Sequence, residues 1–170
     1  MKKILLLLLS QLIISFSFSQ TDPADCNCCS EAQKAFDFWM GDWVVYDTTG
    51  NKIGENKILS MQNHCVLQEN WTSANSTGTS YNYYNQQDNS WNQLWVDNRG
   101  NPLVLKGNFS EGKMVMRDAL SKQSNGQMAF NQISWEQQAD GSVIQLWLVL
   151  DEEGKQLRQL FKGIYKKASD

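Results

Sequence analysis

The sequence predicts an all-β protein: an antiparallel up-and-down meander of about ten strands that closes into a lipocalin-like (calycin) barrel, with a short N-terminal helix before it. Three observations carry that expectation. Turn signals rich in Gly, Asn and Asp recur at roughly ten-residue spacing, as in all-β sandwiches and barrels. The chain has two prolines, Pro23 and Pro102, so little breaks the strands between the turns. Polar and apolar residues alternate there with the period of two that a strand imposes. Short links make consecutive strands antiparallel neighbours, and closure removes the exposed edges of such a meander.

The elements follow in order. Met1-Lys2-Lys3 and the apolar run from Ile4 through Phe18 form a secretory signal peptide, residues 1–19, with a cut between Ser19 and Gln20. Ser10 and Gln11 interrupt the run, which falls short of the roughly 20 apolar residues of a membrane span. Cys26 follows Ala24-Asp25 rather than a small-residue box, which disfavours a lipid anchor. The expected product is exported, periplasmic or extracellular, with no membrane anchor after cleavage. Residues 20–35 form a cysteine-containing segment, and Ser30 to Phe38 read as helical with Ser30 as N-cap. One barrel domain then spans 36–168. Its ten candidate strands lie near 42–48, 53–62, 65–73, 78–85, 91–97, 102–109, 113–119, 127–137, 142–151 and 155–166. The turns between them include Gly50-Asn51, Asn98-Arg99-Gly100, Ser124-Asn125-Gly126 and Asp140-Gly141, residue types that tolerate positive φ.

The formal net charge is −3, and the signal peptide removes Lys2 and Lys3 as well. The remaining Lys and Arg are scattered. That excludes nucleic acid and anionic lipid as expected partners.

Side-chain alternation sorts residues by face. Cys65, Leu67, Glu69 and Trp71 share one face of the third candidate strand, and Trp91, Gln93, Trp95 and Asp97 one face of the fifth. In the ninth, Val143, Gln145, Trp147 and Val149 share one face, while the aliphatic face of Ile144, Leu146, Leu148 and Leu150 is expected to be packed core. Trp beside Gln, Glu or Asp does not suit a dry core, because a buried unpaired polar group costs a few kcal/mol. Such groups pair with one another, hold water or meet a ligand.

A string of segments carries a resemblance. Phe36-Asp37-Phe38-Trp39-Met40-Gly41-Asp42-Trp43, Cys65-Val66-Leu67-Gln68-Glu69-Asn70-Trp71, Trp91-Asn92-Gln93-Leu94-Trp95-Val96-Asp97, Gln145-Leu146-Trp147 and Phe161-Lys162-Gly163-Ile164-Tyr165 are similar to a family of secreted bacterial proteins, domain of unknown function 1579. The resemblance covers the mature domain and implies its limits and its export; it implies no activity. Gly41-Asp42-Trp43 after a short helix also resembles the opening of a lipocalin's first strand. That likeness implies a basic residue late in the chain packed on the tryptophan, a part open to Arg158. A ten-stranded haem barrel of the nitrobindin kind needs a late histidine, and the chain's one histidine is His64. No cofactor is expected.

The polar-aromatic face gives the candidate ligand site: Glu69, Trp71, Tyr84, Trp91, Gln93, Trp95, Asp97, Trp135, Gln145 and Trp147. Aromatic rings pack apolar or sugar rings, and a few amides and carboxylates fix orientation. The same residues would otherwise fill the barrel as a structural network. Glu69 and Asp97 are candidates for an acid–base pair if burial and mutual repulsion split their pKa values. Cys26, Cys28, Cys29 and Cys65 are disulfide candidates in an exported chain, with Cys28 or Cys29 bridged to Cys65. With His64 they could instead form a thiolate–imidazole metal site. Three functions stand: a carrier or sensor of a small amphiphilic or sugar-like ligand, an enzyme (hydrolase or isomerase) using Glu69 and Asp97, or an envelope structural protein with a filled barrel.

Overall fold

A computed structural model describes residues 26–168. The expected signal peptide, 1–19, and the start of the segment after it lie outside the described residues. The described residues form α1 (Glu31–Lys34), a 3₁₀ turn (Asp37–Trp39) and eleven strands: β1 (Gly41–Tyr46), β2 (Lys52–Met61), β3 (Val66–Thr72), β4 (Thr77–Asn85), β5 (Ser90–Asp97), β6 (Pro102–Ser110), β7 (Lys113–Arg117), β8 (Ser121–Lys122), β9 (Met128–Gln137), β10 (Val143–Asp151) and β11 (Gln156–Lys167).

Every pairing is antiparallel between neighbours in the meander, and β11 pairs with β1 as well as β10. That contact, with β9 on β10, closes the barrel of ten strands. The two-residue β8 is the addition to the expected strands; it hangs on β9 through Ser121↔Ala129 and Lys122↔Met128. The candidate strand near 113–119 ends at Arg117, because the chain leaves the barrel there for that excursion.

Strand direction gives the barrel two unlike ends. One carries the turns β2–β3, β4–β5, β6–β7 and β9–β10, together with the N-terminal segment. The expected helix is split. Ser30 caps α1 in a capping box, its hydroxyl accepting from Gln33 N at 3.3 Å while Gln33 Oε1 accepts from Ser30 N at 3.1 Å. After Lys34 the chain tightens into the 3₁₀ turn, which sets residues three apart on one side. Phe36 and Trp39 thereby stack, ring centroids 4.8 Å apart, and plug the barrel. Phe36 meets Trp91 and Trp135 edge-on at 5.5 and 5.1 Å. Phe36, Trp39 and Trp135 are wholly buried. Cys28 bridges to Cys65 in the β2–β3 turn, and Cys26 bridges to Cys29. The plug is therefore pinned covalently to the barrel, and all four sulfurs of the candidate metal site are used up in disulfides.

The basic residue on the first-strand tryptophan is Lys167, not Arg158. Register places Trp43 opposite Lys167, whose Nζ lies 3.8 Å from the indole centroid. Arg158 pairs with Val149 near the other end of β11. Gly41 has φ +119°, and a Cβ there would strike the Lys167 ammonium, so the site requires glycine. Trp43 Nε1 donates to Trp39 O at 2.8 Å, tying β1 to the plug.

Of the expected aliphatic core face of β10, only Leu150 is buried. Ile144, Leu146 and Leu148 are half-buried on the outer wall, while Val143, Gln145 and Trp147 point inward. Register decides this. Gln145 sits between Trp135 on β9 and Gly163 on β11, both inward positions. A one-residue slip of β10 against these neighbours would turn its Gln145 face outward.

Candidate functional site

The inward face changes character along the barrel. The plugged end is dry and aromatic. Across the middle runs a belt of buried polar groups: Asn56 (β2), Glu69 (β3), Ser80 and Asn82 (β4), Gln93 (β5) and Gln145 (β10). Glu69 Oε1 accepts from Asn56 Nδ2 and Oε2 from Ser80 Oγ, both at 2.7 Å. Asn82 Nδ2 donates to Ser80 Oγ at 2.9 Å and to Leu67 O at 3.0 Å. Gln93 Nε2 donates to Asn82 Oδ1 at 2.7 Å. Tyr165 Oη on β11 donates to Gln145 Oε1, with Asn56 Nδ2 3.5 Å from the same hydroxyl. The belt meets the requirement that buried polar groups find partners. One acceptor is left over: Asn56 Oδ1 is buried without a partner among the described residues.

Burial dominates the electrostatics. It pushes the Glu69 carboxyl up to about 7, against the Ser80 and Asn56 hydrogen bonds that favour the anion. Burial also raises the Tyr165 phenol, with the Glu69 charge adding to it.

Above the belt the barrel opens into a cavity of about 500 Å³. Its lining includes Ile53, Glu69, Trp71, Gln93, Trp95, Leu103, Gln145, Trp147, Phe161 and Tyr165, with Ser73, Asn75, Ser76, Asp97, Arg99 and Leu160 toward the mouth. That size lies within the range of small-molecule sites. The rings leave room because glycines stand behind them. A Cβ on Gly78 would fall within the Trp95 indole, one on Gly54 within Trp71, and one on Gly163 against Phe161. The three rings can therefore lie back against the wall. Trp71 meets Phe161 edge-on at 5.9 Å, and Trp147 Nε1 is fixed by Asn131 Oδ1 at 2.8 Å.

Seven of the expected ligand residues line this cavity: Glu69, Trp71, Gln93, Trp95, Asp97, Gln145 and Trp147. Tyr84, Trp91 and Trp135 do not. Trp91 donates to Ala32 O at 2.9 Å and packs on Phe36 and Tyr84, while Trp135 is wholly buried against Phe36 and Trp39. Trp91 and Trp135 pack against the plug, which the sequence could not place over them, and Tyr84 lies against Trp91 with its hydroxyl on Asn89. The Glu69–Asp97 pair is not formed as expected. Asp97 Oδ1 accepts from the backbone N of Arg99 and Asn101 at 2.9 and 2.8 Å, and Oδ2 from Asn101 Nδ2 at 2.9 Å. These turn hydrogen bonds, led by the Asn101 side chain, hold its carboxyl below the usual range. Burial, not Asp97, raises Glu69.

Sequence reasoning missed Asn56, Ser80, Asn82, Phe161 and Tyr165. Ser80 and Asn82 share a face by simple alternation, but with Tyr81 and Tyr83 on the other face alternation does not reveal that the Ser80 face turns inward. Their meeting with Glu69 and Gln93 depends on the registers Glu69↔Ser80 and Asn82↔Gln93. His64 lies in the β2–β3 turn, where Gln62, Asn63 and His64 all have positive φ (51°, 53° and 68°), and its Nδ1 is 3.0 Å from Ser60 Oγ. It stands at the plugged end, away from the cavity.

No family model matches the chain, and no curated protein matches it either.

Proposed function

We propose that the protein is an exported carrier or sensor that binds a small amphiphilic molecule in the barrel lumen. One observation carries the reading: a cavity of about 500 Å³ walled by Trp71, Trp95, Trp147 and Phe161 and floored by Glu69, Gln93 and Gln145. Apolar walls with a few convergent polar groups are the usual make-up of a small-molecule site. An open lumen of that size speaks against a filled barrel with a purely structural role. Export is supported by the basic-then-apolar start of the chain and by two disulfides, which persist in oxidising compartments. Membership of the domain of unknown function 1579 family is proposed on the segments quoted above.

Native mass spectrometry of the protein purified from its own host, beside Trp95→Ala, tests the reading. A small molecule retained by the wild type and lost from a cooperatively folded variant supports it. Loss of cooperative folding in Trp95→Ala would make Trp95 a core residue and refute its assignment to the site.

One observation favours a second reading, acid–base catalysis: burial lifts Glu69 to about 7 beneath this cavity. Asp97 is held by its own turn, so Glu69 would act without it. Turnover that followed the Glu69 titration and vanished in Glu69→Gln would establish that reading.

A further inference from the structure

We propose that the lumen selects an organic cation, an amine or ammonium whose charged head sits toward Glu69 and whose carbon skeleton lies among Trp71, Trp95, Trp147 and Phe161. The inference rests on the ligand-binding reading above and names the chemistry of the occupant.

The first observation is a buried carboxylate with no cation. Charged side chains are almost never fully buried unless paired. Glu69 is 5% exposed, and its two hydrogen-bond donors, Asn56 and Ser80, are neutral. Among the described residues no Lys or Arg is buried, and the four salt bridges are all elsewhere. The floor is also rich in acceptors. Beside the carboxylate, Asn56 Oδ1 is buried without a partner, and Gln93 spends its Nε2 on Asn82 Oδ1. A cation or ammonium donor is what this floor lacks.

The second observation is the wall. A positive head close to the face of Trp, Tyr or Phe is attracted by the ring quadrupole, Trp most of all. Three indoles and a phenyl ring border the lumen, and glycines 54, 78 and 163 let three of these rings lie back along it. Aromatic walls over a lone buried carboxylate complement a cation in both shape and charge. They disfavour an anion, which would meet Glu69 in a low dielectric.

The groups that face Glu69 are few. Asn56 on β2, Ser80 on β4, Gln93 on β5 and Gln145 on β10 are neutral, and Tyr165 on β11 is a phenol whose titration is pushed upward. Asp97 and Arg99 stand at the mouth, on the β5–β6 turn. Cation binding therefore follows the ionisation of Glu69.

Three probes of similar shape separate the possibilities: phenethylamine (cation), 2-phenylethanol (neutral) and 3-phenylpropanoate (anion), each titrated by tryptophan fluorescence at pH 6 and pH 8. The expected result is at least tenfold preference for the amine over the alcohol at pH 8, with the propanoate weakest. Amine affinity should fall about tenfold at pH 6, as a carboxyl titrating near 7 takes up its proton. In Glu69→Gln the preference and the pH dependence should both vanish while the alcohol still binds. The wild-type pH profile decides the matter even if that variant does not fold. Alcohol or propanoate binding as tightly as the amine at pH 8 would overturn the cation and leave the ligand-binding reading standing. Failure of all three to bind would overturn both.

Discussion

Glu69 should make the protein less stable as pH rises through neutrality. Its folded pKa, about 7, lies above the ordinary value of 4.5 expected in the unfolded chain. The folded state thus binds more protons than the unfolded state between those values, and stability falls with pH across that window. The full effect is about 3 kcal/mol between pH below 4.5 and pH above 7, at 1.36 kcal/mol per pKa unit. About 2 kcal/mol of it should appear between pH 5.5 and pH 8. Asp47, Asp88, Asp97 and Asp140 have lowered pKa values, so they are ionised in both states throughout that range. Urea unfolding followed by tryptophan fluorescence, at half-unit pH steps, measures the slope in wild type and Glu69→Gln. The wild type should lose about 2 kcal/mol and the variant should be nearly flat over the same range. A flat wild-type profile, or the same slope in both proteins, would refute the reasoning and mean that Glu69 is well solvated.

Three further outcomes are expected. Gly78→Ala should drive the Trp95 indole off the wall into the lumen, costing about 1–3 kcal/mol in urea unfolding and changing Trp95 emission. Replacing Cys28 and Cys65 together by Ser releases a bridge of sequence separation 37 and should lower stability by about 4 kcal/mol in the same assay. Trp135→Ala, at the plug, should cost about 3–5 kcal/mol, whereas Trp95→Ala, beside the open lumen, should cost clearly less.

Much of the barrel could be read from local chemistry. Turn residues fix where strands end, and period two fixes which side chains go together, so Glu69 with Trp71 and Gln93 with Trp95 were legible. The sheet's handed partition was less so. On β10 both faces carry large apolar residues, and the register with Trp135 and Gly163 turns the Gln145 face inward. The plug was invisible for a different reason. Phe36 falls in the segment that reads as helix and Trp39 just after it, and nothing local reveals that a 3₁₀ turn drops them onto Trp91 and Trp135, some 50 to 100 residues away. That contact converts Trp91 and Trp135 into core, and Tyr84 packs against Trp91 at its edge. The sequence leaves Cys28 and Cys29 as partners for Cys65, and the placement of the plug selects Cys28. Asp97 illustrates the opposite case: Asp97-Asn98-Arg99-Gly100-Asn101 is a turn signal in its own right, and the turn claims the carboxylate.

The central claim is that the lumen above the polar belt is open and takes a small amphiphilic molecule. Titration of the mature protein with N-phenyl-1-naphthylamine, a neutral dye that brightens in apolar surroundings, tests it most directly, with Gly78→Leu as the variant whose lumen is filled by the displaced Trp95. One-to-one enhancement in the wild type, abolished in a folded Gly78→Leu, is the predicted result. No enhancement in the wild type, or equal enhancement in both proteins, would contradict it.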